Sequence, residues 1–310
     1  MEPKIRKGGR ILLNLLEQHK NIGAGLRVAV AGAADQEVIS ILRPGHNLGL
    51  SFILIGNESK ILSLLADAGL APSEFRIVPA EESKEVARLA VELIRAGEAD
   101  ILMKGLLTTG EFMRPALDAQ KGLRTGRLLS HVAAIELPGQ RLVLLSDAAL
   151  NIAPGIKEKT DIIRNAAMVA KQLGYTRPKA ALLAASEEVD PAMPATIEAA
   201  ALAKMAERGQ ICLDLDVDGP LALDNAISMA AAQHKGIHSK VAGLADILIV
   251  PDITCGNLLY KALVSLAGFQ AAGVVVGSAA PIVLTSRTDR ASTKLNSLGL
   301  AAILAHNMND

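Results

Sequence analysis

Ser51-Phe-Ile-Leu-Ile-Gly-Asn-Glu-Ser-Lys-Ile-Leu-Ser-Leu-Leu-Ala-Asp-Ala68 carries the reading of the fold. Ser51 to Ile55 is a short apolar run that ends at Gly56 and Asn57, the pattern of a buried strand. Lys60 to Ala68 then places Ile61, Leu64 and Leu65 at helical spacing. The same unit recurs on both sides. Arg27-Val-Ala-Val30 is followed by the helical pattern Gln36–Leu42, and Phe75-Arg-Ile-Val78 by Ser83–Ala96, with Ser83 placed to cap it. Asp100-Ile-Leu-Met103 is a fourth strand. Strand and helix in alternation predict a mostly parallel sheet with right-handed crossovers, an α/β protein.

Val132–Leu137 and Arg141–Leu145 break the rhythm as a hairpin about Pro138-Gly139, the expected edge of a second domain. The rhythm then resumes with helix Lys157–Leu173, strand Ala180–Leu183, helix Ala195–Arg208 and strand Ile211–Leu213. Helix Leu223–Ala232, strand Ile247–Val250, helix Asn257–Leu266 and strand Gly273–Val276 follow. The closing helix, Lys294–Ala305, is apolar enough to return to the first domain. The expectation is a first α/β domain of residues 1–135 plus 288–310 and a second of 136–287, with the active-site cleft between them. At the other end, Ile11, Leu12, Leu15 and Leu16 lie on one face of an amphipathic helix spanning Arg6 to Glu17.

Composition narrows the function. Of 310 residues 50% are hydrophobic but 2% aromatic, with no Trp, so small aliphatics fill the core, as in sheets covered on both faces. The 32 basic and 32 acidic residues cancel, and neither a basic face nor stacking aromatics point to nucleic acid. Cys212 and Cys255 fit free thiols in a reducing cytoplasm. No leader or membrane-length apolar run appears, which predicts a soluble cytoplasmic protein.

Two stretches carry chemistry. Gly277-Ser-Ala-Ala-Pro281-Ile-Val-Leu-Thr-Ser286-Arg287-Thr-Asp289-Arg290 delivers polar residues at a strand's carboxyl end, where open α/β sheets bind ligands. Arg287 offers a planar fork of donors for phosphate, Ser286 a neutral hydroxyl, and Asp289 a proton acceptor or a helix cap. Lys104-Gly105-Leu-Leu-Thr108-Thr109-Gly110-Glu111-Phe-Met-Arg114 is a second anion site or a capped surface helix. Other patterns lead nowhere. Gly23-Ala-Gly25 precedes its strand and lacks the third glycine of a dinucleotide signature. Asp214-Leu-Asp216-Val-Asp218-Gly219 starts like a calcium loop but has Pro220 next and Asn225 where the bidentate Glu belongs. His234 and His238 are separated by Gly236, a helix end, and no third ligand is evident, so no metal site is expected.

A dispersed set of motifs goes further. Thr108-Thr109, Arg114-Pro115-Ala-Leu117, Ser146-Asp147-Ala148, Asn151 with Pro154 and Pro178-Lys179 come first. Asp218-Gly219-Pro220-Leu221 with Asp224, Ser239 with Val241-Ala-Gly243, and Pro251-Asp252 follow. Gly256-Asn257, Tyr260-Lys261, Pro281 and Ser286-Arg287 complete it. In this order they resemble the phosphate acetyl/butyryltransferase family, over about Lys104 to Leu298. Met103-Lys104-Gly105 and Leu284-Thr-Ser-Arg-Thr-Asp289 are more similar to the butyryl branch.

The resemblance implies a phosphate acyltransferase that moves a short acyl group between coenzyme A and inorganic phosphate. It implies two α/β domains similar to isocitrate and isopropylmalate dehydrogenases, usually as a homodimer. No metal or prosthetic cofactor is implied; coenzyme A is a substrate. Ser286, Arg287 and Asp289 are the implied catalytic residues, and Lys104, Thr109, Arg114 and Asn257 the implied coenzyme A or phosphate contacts. The acetyl branch's functional aspartate falls at about Thr293, so the base is in question and Asp289 stands nearer. Phosphate acetyltransferase, a non-catalytic acyl-CoA-binding relative and a decarboxylating dehydrogenase of the same architecture remain alternatives.

Overall fold

Residues whose strands are apolar on both faces require cover on both faces, and the helices supply it. The computed structural model describes residues 22–138, 141–285 and 289–309, the last three by backbone only. The expected helix Arg6 to Glu17 and the residues Ser286 and Arg287 lie outside them. Among the described residues there are eleven strands and ten α-helices. One contact-dense unit spans Leu128–Gln270; the other takes the described residues up to Arg127 and from Ala271 on.

The latter unit opens with β1 (Arg27–Ala31), β2 (Ser51–Gly56), β3 (Arg76–Pro79) and β4 (Ile101–Lys104). It closes with β10 (Ala271–Val276) and β11 (Ile282–Val283). The strand order is β3-β2-β1-β4-β11-β10. β11 runs parallel to β4, pairing Ile282 with Leu102 and Val283 with Met103, while β10 turns back antiparallel to β11. Helices α1 (Gln36–Asn47), α2 (Glu58–Asp67), α3 (Ser83–Arg95), α4 (Thr109–Ala116) and α10 (Ala291–Asn309) belong here. Asp35 caps α1 and Asn57 caps α2, each by accepting an amide of the first turn. Ser83 does not cap α3; Glu82 holds the N-cap position, with no side-chain bond.

In the other unit β5 (Ser130–Leu137) and β6 (Arg141–Ser146) form the expected antiparallel hairpin. β7 (Lys179–Leu183), β8 (Asp216–Leu221) and β9 (Ile247–Ile249) add in parallel, in the order β5-β6-β9-β7-β8. The helices are α5 (Ile156–Gln172), α6 (Pro194–Glu207), α7 (Leu223–Ile227), α8 (Met229–His234) and α9 (Ile253–Lys261). A π turn, Ala262–Leu266, extends α9.

Three expectations shift. The units part at 127/128 and 270/271 instead of 135/136 and 287/288, because β10 and β11 pair their way onto β4. Ile211–Leu213 is not a strand: the edge strand is Asp216–Leu221, whose Asp-x-Asp run is extended backbone paired with β7. The single helix expected over Leu223–Ala232 breaks at Ser228, which instead caps α8 by accepting the Ala231 amide.

Each unit fastens its sheet with the same device. Asp100, just before β4, accepts the Arg27 amide and both arms of its guanidinium at 2.8–3.1 Å. Asp246, just before β9, accepts the Lys179 amide at 3.0 Å, with the Arg141 guanidinium 3.8 Å away.

Candidate active site

β1, β4 and β11 are neighbouring parallel strands, so their carboxyl ends open at one edge of the sheet. The connections there pack closely. Gly105 donates its amide to Ala31 and Leu106 its amide to Gly32, both at 2.8 Å. A Cβ on Gly105 would stand 2.1 Å from the Gly32 carbonyl oxygen, so only glycine fits.

Lys104 ends β4 and is 5% exposed; its Nζ donates to the carbonyls of Gly105 at 3.3 Å and Leu107 at 3.2 Å. The side chain is thus buried, not solvated. Thr108, and not Thr109, caps α4, in a capping box: its hydroxyl accepts the Glu111 amide while the Glu111 carboxylate accepts the Thr108 amide. Thr109 opens the helix, exposed. Arg114 is exposed in the last turn of α4.

Asp289 is half-buried just before α10, and its main-chain carbonyl accepts a 3.0 Å bond from Lys294 Nζ. Thr293, where the acetyl branch's aspartate would fall, is buried in the first turn of α10. Its carbonyl accepts the Ser297 hydroxyl at 2.7 Å. Lys294 and Glu37 are residues that sequence reasoning missed. The available signal was a lysine inside an apolar helical pattern, which reads as a solvated side chain until its burial is known.

In the other unit the motif residues gather on Asp147. Its buried carboxylate accepts four N–H groups: the His131 amide at 3.1 Å, Ala149 at 2.8 Å, Leu150 at 3.0 Å and the Asn151 side chain at 2.6 Å. With four donors on its two oxygens, the carboxylate serves as a structural hub. Asn257 lies inside α9, whose N-cap is Asp252, and donates to the Ala148 carbonyl at 3.3 Å. It does not begin a helix. Gly256 beside it lets the backbone approach Asp147, whose carbonyl would lie 2.5 Å from an added Cβ. Tyr260 meets His131 edge-on, with ring centres 6.3 Å apart.

Lys104, Thr109, Arg114 and Asp289 therefore belong to one unit and Asn257 to the other. A separate cavity of about 610 Å³ lies beside α6 and β8, lined by Arg177, Lys204, Cys212, Asp216, His238 and Lys240 among others, and none of the candidate residues lines it. Arg177 holds the Asp216 carboxyl below the ordinary carboxylate range through a hydrogen bond.

The family described as Phosphate acetyl/butaryl transferase matches residues 80–302. A phosphate butyryltransferase of Clostridium acetobutylicum is 45% identical over 285 residues, covering 91% of this chain and 94% of that protein. Among solved structures, a branched-chain phosphotransacylase from Enterococcus faecalis superposes with a TM-score of 0.82 at 34% identity. It covers 91% of this chain and 99% of that one. A 4-hydroxythreonine-4-phosphate dehydrogenase from Klebsiella pneumoniae, at 14% identity, superposes with a TM-score of 0.54 over 90% of this chain and 99% of its own. That likeness shows the α/β architecture of a dehydrogenase and nothing of its chemistry. With the family matched over most of its length, this chain belongs to the phosphate acetyl/butyryltransferases, enzymes of the phosphate acyltransferase class.

Proposed function

We propose that the protein moves a short-chain acyl group between coenzyme A and inorganic phosphate, with butyryl-type chains preferred. The observation that carries this is the 45% identity to a phosphate butyryltransferase along nearly the whole of both chains. In the forward direction a phosphate oxygen attacks the thioester carbonyl carbon and a C–O bond forms. The tetrahedral oxyanion collapses, the C–S bond breaks, and coenzyme A leaves as a thiolate that takes up a proton. No electrons change hands, so coenzyme A as substrate suffices and no prosthetic group is invoked.

Both directions bring anions together, so the protein's task is to place them and offset their charge. Arg287 holds phosphate, Ser286 donates to the oxyanion or to phosphate, and Asp289 handles the proton. Buried Lys104, at the end of β4, adds positive charge beside the strand that leads to them. Thr109 and Arg114 on α4, and Asn257 on α9, contact coenzyme A or phosphate.

The protein acts in the cytoplasm as a homodimer. α9 and its π turn bury only Gly256, leaving Leu258 65% and Leu266 86% exposed, with Lys261 the lone charge from Ile253 to Leu266. An apolar face so poor in charge matches a second copy of itself.

The deciding experiment is phosphate-dependent release of coenzyme A thiol from acetyl-, propionyl-, butyryl- and isobutyryl-CoA, with a control lacking phosphate. Release that requires phosphate and is fastest with butyryl- or isobutyryl-CoA is the expected result. Binding of coenzyme A with no release from any of the four would reject the transferase in favour of a non-catalytic relative.

A further inference from the structure

Lys294 sits in the first turn of α10 and is 3% exposed. Both features are costly. A cation near a helix N-terminus opposes the helix dipole, and an ammonium taken out of water loses its hydration. A methionine would fill similar space without either cost, so the charge must be matched by what it touches.

Among the described residues, two polar groups meet its ammonium. Nζ donates to the Asp289 main-chain carbonyl at 3.0 Å and lies 3.6 Å from the Glu37 carboxylate. Glu37 belongs to the first turn of α1, which follows β1, while Asp289 follows β11. One buried cation therefore ties the exits of two strands that flank β4 and its terminal Lys104. Glu37 remains half in solvent, so its contribution is screened and the shorter, part-buried carbonyl contact dominates.

We propose that Lys294 is a positioning residue that holds Asp289 in its working place through the main-chain carbonyl, with Glu37 as its counter-charge. The inference rests on the acyltransferase reading above and on Asp289 as the residue that handles the proton.

A double-mutant cycle tests it, read by phosphate-dependent thiol release from butyryl-CoA with both substrates varied. Lys294→Met should lower kcat about tenfold, the scale of a displaced reacting group, while both KM values stay within about twofold. Lys294→Arg, which keeps the charge, should recover part of the loss. In an Asp289→Asn background, Lys294→Met should add little further loss, because the two residues act as one. Losses that multiply across the cycle, or a Lys294→Met enzyme with wild-type kcat, would overturn the proposal. Should Lys294→Met not fold, Glu37→Gln takes its place in the cycle, with a smaller loss of kcat expected and an additive result again decisive against it. A wild-type protein without phosphate-dependent release would reject the transferase itself; an active wild type with independent variants rejects only the role of Lys294.

Discussion

In the proposed mechanism Arg287 and Asp289, two residues apart in the chain, have separable duties. A guanidinium that grips phosphate contributes to binding and to turnover, whereas a group that handles a proton contributes to turnover alone. Arg287→Ala is accordingly predicted to lower kcat about 10²–10³-fold and to raise the KM for phosphate. Asp289→Asn is predicted to lower kcat with both KM values nearly unchanged. Initial rates with phosphate and acyl-CoA varied separately check both, and wild-type turnover in Arg287→Ala would remove that residue from the mechanism. Gly105 is a different case, since its requirement is steric. Because an added methyl would stand 2.1 Å from the Gly32 carbonyl oxygen, Gly105→Ala should destabilise the fold by about 1–3 kcal/mol, read from the urea midpoint. An unchanged midpoint would mean that the β1 and β4 exits move apart freely. At this scale the sequence showed residue types well and their surroundings poorly. Lys104 read as a coenzyme A or phosphate contact and Lys294 as an ordinary helix residue, and the burial of both was not legible, because burial is a property of the elements packed over them.

Between elements, the paired Asp and Arg devices set the sheet registers, and one of them predicts a pH dependence. Burial holds the Asp246 carboxyl above the ordinary carboxylate range, against the opposing pull of the Lys179 amide and the Arg141 charge. A carboxyl whose folded pKa is raised favours folding while protonated. That stability is present below its unfolded pKa and lost as pH rises through the folded value. Asp246→Asn keeps an acceptor for the Lys179 amide and does not titrate. It should therefore melt about 2 °C above wild type at neutral pH, an advantage that shrinks as pH falls through the raised folded value and is gone below the unfolded carboxylate range. Melting curves across that range give the answer; a constant difference at every pH would rule the account out. Element existence was legible wherever apolar periodicity was strong, as in β1, β2 and α3. It was not legible at β8, where Asp216 and Asp218 look like loop residues. Pairing with β7 makes them an edge strand.

For the whole molecule, the proposed acyl transfer, which invokes neither redox change nor metal, predicts full phosphate-dependent activity after exhaustive chelation. Loss of activity on chelation, restored by one divalent cation, would refute that. The proposed homodimer is checked by sedimentation: the wild type should run at twice the chain mass of 32.4 kDa, and Leu258→Asp with Leu266→Asp should run as a monomer. A monomeric wild type would leave the apolar face of α9 to another partner.

The βα alternation, the aliphatic core and the ordered motifs from Thr108 to Arg287 were readable from the chain alone, because each rests on local spacing. Those features were enough to assign the architecture and family. Which residues share an environment was decided only on folding. Ser146-Asp147-Ala148, Asn151, Gly256-Asn257 and Tyr260 are scattered in the chain yet gather around one saturated carboxylate. Glu37 and Lys294 meet across the exits of β1 and β11 for the same reason. Strand order is a long-range choice, made by burying apolar faces together, and no local pattern records it.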